Sequence, residues 1–342
     1  MASHRRPKQP TRARVTVITA AAAAAVAFSS QGASAAPAKP SKDEVKTQVD
    51  ALYEEAEQAT EKFNGAKERQ EKLEKEIGQI QDQVARGQSE LNDLRSALGS
   101  MASAQYRTGG IDPALALLLS EDPDGYLDKA SSLEHLSGKQ VESVQRIQAK
   151  QRTLAQQRQE AAGKLTDLDA TRKELAEKKK VSTDKLAEAR ALLNTLTAQE
   201  RAALKDDETR ASRADGQRAD LGNVSGSGRA GAALAAAKTK VGSAYISGEE
   251  GPSAFDCSGL TQWAYKQAGV SITRTTYTQA NDGTRISKSQ LQPGDLVFFY
   301  GDLHHVGLYA GNNMTLHASN PRGGVKYESL DNMPFQFGVR VS

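Results

Sequence analysis

The sequence predicts a long all-α antiparallel coiled-coil hairpin followed by a small domain of mixed helix and strand. Three observations carry this. Apolar residues recur with a 4-3 alternation over two long charged runs. A segment of helix breakers separates the runs. Aromatic residues, only 5% of the 342-residue chain, are scarce from Ser41 to Ala230 and gather after Gly242, so a compact core fits only in the last third.

The first run reads Val45, Val49, Leu52, Ala56, Ala59, Phe63, Ala66, Gln70, Leu73, Ile77, Ile80, Val84, Gly87, Leu91, Leu94 and Leu98. All are apolar except Gln70 and Gly87, and the residues between them are mostly charged or amide, the pattern of a coiled-coil seam. Many seam positions are alanine, so each turn buries little area and the helix needs a partner. A second run starts near Tyr126 and passes Leu133, Val144, Ile147, Leu154, Ala161, Leu165, Leu168, Leu175, Leu186, Ala189, Leu193, Leu196 and Ala203, with polar interruptions at Arg158, Arg172 and Lys179. Between the runs, the segment 99–125 holds Gly109-Gly110, Pro113 and Pro123, which break helices, and an apolar burst from Leu115 to Leu119. A hairpin over 41–205 with 99–125 as its tip accommodates all of this. At 1.5 Å per residue its arms would be about 80 Å and about 115 Å long. The surplus of the second would run on toward the C-terminal domain, bend, or pair with another chain. The tip leucines either cap the hairpin with a local core or dock a partner. Residues 206–229 lose the periodicity, turn Gly/Ser-rich from Asn223 to Gly228, and read as a flexible linker. The C-terminal domain then occupies 230–342.

The N-terminus has the order of a secretory signal peptide over residues 1–35: Arg5, Arg6, Lys8, Arg12 and Arg14, an apolar run from Val15 to Phe28, and Ala33-Ser34-Ala35. The alternative is a membrane anchor, but that apolar run as a helix spans roughly 21 Å against a hydrocarbon core of roughly 30 Å. Cleavage after Ala35 removes five basic residues and no acid, changing the net charge from +3 to −2. The basic pI therefore gives no support to nucleic-acid binding, and no basic patch interleaved with aromatics appears. The expected location is secreted, extracytoplasmic and associated with the cell wall.

Cys257 is the only cysteine, so an internal disulfide is excluded, and the thiol is either reactive or bridged between chains. It stands at the start of a helical pattern running to Ala268, where free N–H groups and the helix dipole favour a thiolate and lower its pKa. Asp256 beside it is a candidate N-cap. A buried structural cysteine is the rival reading. Strands at Leu296–Tyr300, His305–Ala310 and Met314–Ala318 place His305, Gly307 and Tyr309 on one face and His317 on a neighbouring strand. This offers a Cys-His-His set, with Cys257 as nucleophile, His305 as the base that takes its proton and His317 orienting the base.

Phe255-Asp-Cys-Ser-Gly-Leu260, Leu291-Gln-Pro-Gly-Asp-Leu-Val-Phe-Phe299, His305-Val-Gly-Leu-Tyr-Ala-Gly311 and Leu316-His-Ala318 together resemble the NlpC/p60 family of cell-wall cysteine peptidases. The resemblance covers about 230–342. It implies a papain-like α+β fold with the same three residues in catalysis, Tyr245 near the oxyanion, and Asp256 and Ser258 in contact with the substrate peptide. It implies hydrolysis of peptidoglycan stem peptides next to D-glutamate, at the D-isoglutamyl–diamino acid bond, without metal or organic cofactor. His304 does not match the family histidine and reads as a surface residue. The coiled coil, with Tyr106-Arg-Thr-Gly-Gly110 and Tyr126-Leu127-Asp128, is similar to hairpins of division-linked hydrolases and their activators. That likeness suggests docking to an FtsX-type membrane complex.

Two rivals stand beside this reading. Cys257, His305 and His317 with a water would suit a catalytic zinc. Alternatively the coiled coil is a scaffold that activates other hydrolases, and the C-terminal domain only binds peptidoglycan. A wall hydrolase endangers its owner, so the coiled coil or linker is further expected to cover the Cys257 cleft until a partner docks.

Overall fold

The computed structural model describes residues 40–107, 115, 118–119, 123–220 and 228–341. The signal-peptide segment, most of the tip and residues 221–227 lie outside the described residues.

Helix α1 spans Lys42–Arg107. It opens with a capping box, in which the Ser41 N–H donates to Glu44 Oε2 at 2.8 Å and the Glu44 N–H to Ser41 Oγ at 3.2 Å. Helix α2 spans Pro123–Leu193 and runs antiparallel to α1. Cross-pairs fix the register: Glu55 with Lys185 at 2.6 Å, Arg69 with Glu174 at 2.6 Å, Glu76 with Lys164 at 2.7 Å, and Glu90 with Lys150. The predicted seam is buried at Val45, Val49, Ala56, Ala59, Ala66, Ile77, Ile80 and Leu91, against Leu154, Leu168 and Ala189 of α2. The second run is looser in places, and Val144 and Leu165 are 40% and 50% exposed.

The arms are nearly equal at 66 and 71 residues, each roughly 100 Å long. This corrects the unequal arms expected from sequence. The first helix runs through Gly99 to Arg107, since one interior glycine costs only about 1 kcal/mol. The second run is divided. A turn after Leu193 leads into a new helix, α3, at Ala198–Asp220, started by a second capping box between Thr197 and Glu200. Residues 206–220 are therefore helix and not linker. Helix α3 folds onto the C-terminal domain, with Gly216 against the Tyr327 ring and Arg322 joined to Glu208 at 2.6 Å and to Asp50 of α1 at 2.7 Å.

The C-terminal domain begins with helix α4, Gly228–Lys238, and a short parallel pair, β1 (Ala244–Tyr245) and β2 (Ala254–Phe255). Helices α5 (Cys257–Gln267) and α6 (Thr276–Gln279) follow. A six-stranded antiparallel sheet completes the domain: β3 (Thr284–Ile286), β4 (Leu296–Phe299), β5 (His305–Gly311), β6 (Met314–Ala318), β7 (Val325–Ser329) and β8 (Phe335–Arg340). Their order is β3-β8-β4-β5-β6-β7. Helix α5 packs across β5 and β6, and Leu260, Ala264 and Tyr265 share one core with Phe298, Val306, Leu308 and Leu316. Alternation along β5 sends His305, Gly307 and Tyr309 to the other side. Tyr309 there packs on the cluster of Val297, Phe299 and Leu330.

Candidate active site

Cys257 is the first residue of α5, and its position is set by Asp256. Asp256 caps the helix by accepting from the Gly259 N–H at 2.7 Å, and it also accepts from the Gly248 N–H at 2.9 Å and from Arg274 at 2.6 Å. Glycine at 259 is a packing requirement, because a Cβ there would lie 2.3 Å from the Glu249 carbonyl oxygen. Arg274, which sequence reasoning does not single out, also donates to Ser258 Oγ at 2.7 Å and to Glu250 at 2.9 Å.

His305 opens β5, and His317 lies on β6 beside it. Their rings meet edge to face, with His305 Nε2 2.6 Å from His317 Nδ1. Gly307 makes this approach possible: a Cβ there would come within 2.3 Å of Thr315 Oγ1 and 3.0 Å of His317 Cβ. Donor atoms of Cys257, His305 and Glu57 lie within 4.8 Å of one another. The structure thus brings Cys257, His305 and His317 together at the junction of α5 and the sheet. Tyr245 is buried in the core that holds Cys257. Burial, followed by the charges of Glu57 and Cys257, drives its hydroxyl pKa well up. Asp256 and Ser258 lie on the same side of Cys257 as Arg274.

His304 is not a surface residue. It is 1% exposed, stacks on Tyr300 at 4.2 Å and holds Asp302 at 2.5 Å through Nδ1, because the tight turn before β5 folds its ring inward.

The site is covered by α1. A polar stripe, Asp50, Glu54, Glu57, Glu61 and Asn64, runs alongside the apolar seam with the same 4-3 spacing, and each member contacts the C-terminal domain. Asp50 meets Arg322 at 2.7 Å, and Glu54 accepts from the Tyr300 hydroxyl at 3.2 Å. Glu57 Oε1 sits 2.6 Å from His305 Nδ1. Glu61 accepts from Ser258 Oγ at 2.7 Å and from the Thr276 N–H at 2.7 Å, and lies 3.8 Å from Cys257 Sγ. Asn64 donates to Asp256 at 3.0 Å. Cys257 is fully buried and His305 is 2% exposed. The covering element is the first helix of the coiled coil, not the 206–229 segment. A cavity of about 700 Å³, lined by Tyr53, Phe63, Lys179, Tyr245 and Ser247 among others, flanks the covered site.

Coverage reverses the electrostatics expected at a helix start. Burial, followed by the charges of Glu57, Glu61 and Asp256, pushes the Cys257 thiol well above its ordinary pKa, so the covered thiol is protonated. Burial and Asp256 raise Glu61 from 4.5 to about 7, against the pull of Arg274. Burial opposes charge on His305, but Glu57, with Glu328 and Glu61, outweighs it and raises the imidazole. All three shifts have one sign: the covered form binds more protons than the uncovered one. Coverage is therefore strongest below about pH 4.5 as far as Glu61 is concerned, and weakens as pH climbs toward 7 and beyond, where His305 and Cys257 add to the loss. Hydrogen exchange at the Thr276 amide, corrected for its intrinsic rate, should show protection falling from pH 5 to pH 8; constant protection contradicts this.

A cysteine opening a helix, laid on an antiparallel sheet whose adjacent strands carry paired histidines, is the papain-like arrangement. Residues 242–339 match the NlpC/P60 family and constitute an NlpC/P60 domain. A protein named probable endopeptidase from Corynebacterium glutamicum is 52% identical over 105 residues, which is 31% of this chain and 50% of that one. Probable endopeptidase p60 of Listeria monocytogenes is 46% identical over 99 residues, 28% of this chain and 20% of that one. The chain thus spans half the length of the first relative and a fifth of the second. The solved NlpC/p60 domain of the peptidoglycan hydrolase SagA is 37% identical, covering 32% of this chain and 97% of that one, with a TM-score of 0.31.

Proposed function

We propose that this chain is a secreted peptidoglycan endopeptidase whose own coiled coil holds it closed. The carrying observation is that Cys257, His305 and His317 converge while Glu57 and Glu61 of α1 occupy the places facing the thiol and the base. Once α1 withdraws, His305 Nδ1 takes the thiol proton. The thiolate attacks a stem-peptide carbonyl, and a thioester forms as His305 protonates the leaving amine. Water activated by His305 then releases the acid. Tyr245 lies beside the developing oxyanion, and Asp256 and Ser258 receive the substrate peptide in place of Asn64 and Glu61. The bond is the one joining D-isoglutamate to the diamino acid, cut during division or growth. The trigger is a partner that pulls on the hairpin, with an FtsX-type membrane complex at the tip as the candidate; Leu118 and Leu119 there are 76% and 73% exposed.

The test is digestion of purified peptidoglycan by the full chain carrying Glu57→Lys and Glu61→Lys, beside the same chain with Cys257→Ala, and mass spectrometry of the soluble fragments. Stem-peptide fragments from the first alone, undiminished by a chelator, are expected. Fragments from neither would return the C-terminal domain to a binding role, fragments from both would take the hydrolysis away from Cys257, and loss with the chelator would favour zinc chemistry.

A further inference from the structure

We propose that Glu328 is a positioning residue that fixes where the protons of the histidine pair sit, and thereby keeps His305 able to act as a base. The inference deepens the peptidase reading and rests on it for its kinetic consequence.

Glu328 lies on β7, where Thr315 pairs with Glu328 and His317 with Lys326. Its Oε2 is 3.2 Å from His317 Nε2 and 2.9 Å from Lys326 Nζ, and Asn332 donates to its other oxygen at 3.3 Å. His317 is 1% exposed, and Nε2 has no straight hydrogen bond among the described residues, so the Glu328 carboxylate is its polar neighbour. A polar cavity of about 250 Å³ opens beside His305, His317 and Glu328.

Only one proton can lie between His305 Nε2 and His317 Nδ1, which are 2.6 Å apart. In one arrangement His317 carries its proton on Nε2, facing Glu328. Its Nδ1 then accepts from His305 Nε2–H, and His305 Nδ1 keeps a lone pair for the thiol proton. In the other, His317 Nδ1–H donates to His305 Nε2. This leaves the proton of neutral His305 on Nδ1, where no further proton can be accepted, and turns the His317 Nε2 lone pair toward a carboxylate. A carboxylate accepts and never donates, so Glu328 selects the first arrangement. Burial, with the neighbouring His305 charge, lowers His317 to about 4, so it is neutral and its single proton has a place to choose. Burial would raise Glu328, but its contact with His317 and the Lys326 charge hold it below the usual carboxylate range, so it is anionic. A merely structural Glu328 would not care which nitrogen holds that proton.

The test uses the full chain with Glu57→Ala at pH 8, which removes the carboxylate bonded to His305 Nδ1, and ¹⁵N-histidine labelling of the five histidines, with His317 assigned by His317→Gln. With Glu328 present, His317 should show a protonated Nε2 and a bare Nδ1. Glu328→Gln should move at least a tenth of the population to the Nδ1–H form, and Glu328→Asp should restore the original pattern. Peptidoglycan hydrolysis, read in the opened Glu57→Lys/Glu61→Lys chain, should fall about 10-fold or more in kcat on Glu328→Gln, with KM within twofold. The same nitrogen signature in Glu328→Gln and its parent would overturn the proposal. An altered signature with no hydrolysis from any variant would leave the proton placement supported and remove the peptidase reading instead.

Discussion

Replacing Glu57 and Glu61 together by lysine should raise the peptidoglycan hydrolysis rate of the full chain by about 100-fold or more. Glu57 is 7% exposed and Glu61 fully buried, so each lysine would place a cation in a site built around carboxylates. The lysine replacing Glu61 would face Arg274, whose charge already acts on Glu61, and the one replacing Glu57 would face the imidazole of His305. Breaking a buried charged contact costs about 3–5 kcal/mol, and every 1.36 kcal/mol is tenfold in population. Even the lower bound therefore moves the closed–open equilibrium by about two decades. The apolar seam is untouched, since Ala56, Ala59 and Ala66 lie on the adjacent stripe and pack on α2. The hairpin should stay helical by circular dichroism, which separates opening from unfolding. A double variant that is helical and no faster than wild type contradicts the closed-form reading.

Removing the base should have the opposite and larger effect. In the opened chain, His305→Ala should lower kcat by about 10³–10⁴-fold, because the thiol loses its proton acceptor and the leaving amine loses its donor. Cys257→Ala should remove hydrolysis to background, and the two changes together should cost no more than Cys257→Ala alone, because they act as one unit. The alanine variants keep Phe299, Val306 and the α5 cap in place, so thermal stability should change little beside the loss of rate. A His305→Ala chain retaining a tenth of the opened rate would assign the base elsewhere.

The local geometry around Cys257 was legible in the sequence, and coverage of its cleft was expected, but the residues that cover it were not legible. Asp256-Cys257-Ser258-Gly259 reads as a capped helix start because the cap and the glycine are local requirements, and both are met. The β5 and β6 histidines could be paired because strand alternation and a short turn leave few registers. Thr197-x-x-Glu200 is also a local signal, and its capping box could have located the break before α3. The polar stripe from Asp50 to Asn64 carries no such signal. Charged residues flank most coiled-coil seams in solvent, and only the docked C-terminal domain makes these five different. The thiol pKa runs opposite to the sequence expectation for the same reason. Helix geometry favours a thiolate, but burial and the charges of Glu57 and Glu61, some two hundred residues away in sequence, outweigh it. Arg274 and Glu328 make their contacts with tertiary neighbours, and an isolated arginine in a loop or glutamate on a strand reads as surface.

Cys257 is the only thiol in the chain, so it reports on the closed state without labelling. The most direct test is the rate at which iodoacetamide alkylates native full-length wild type at pH 7.5, beside the Glu57→Lys/Glu61→Lys chain under identical conditions. The account predicts that wild type reacts at least about 100-fold more slowly, since its thiol is both buried and held protonated. Equal rates in the two proteins would mean that α1 does not cover the site in solution, and would remove the basis for self-inhibition.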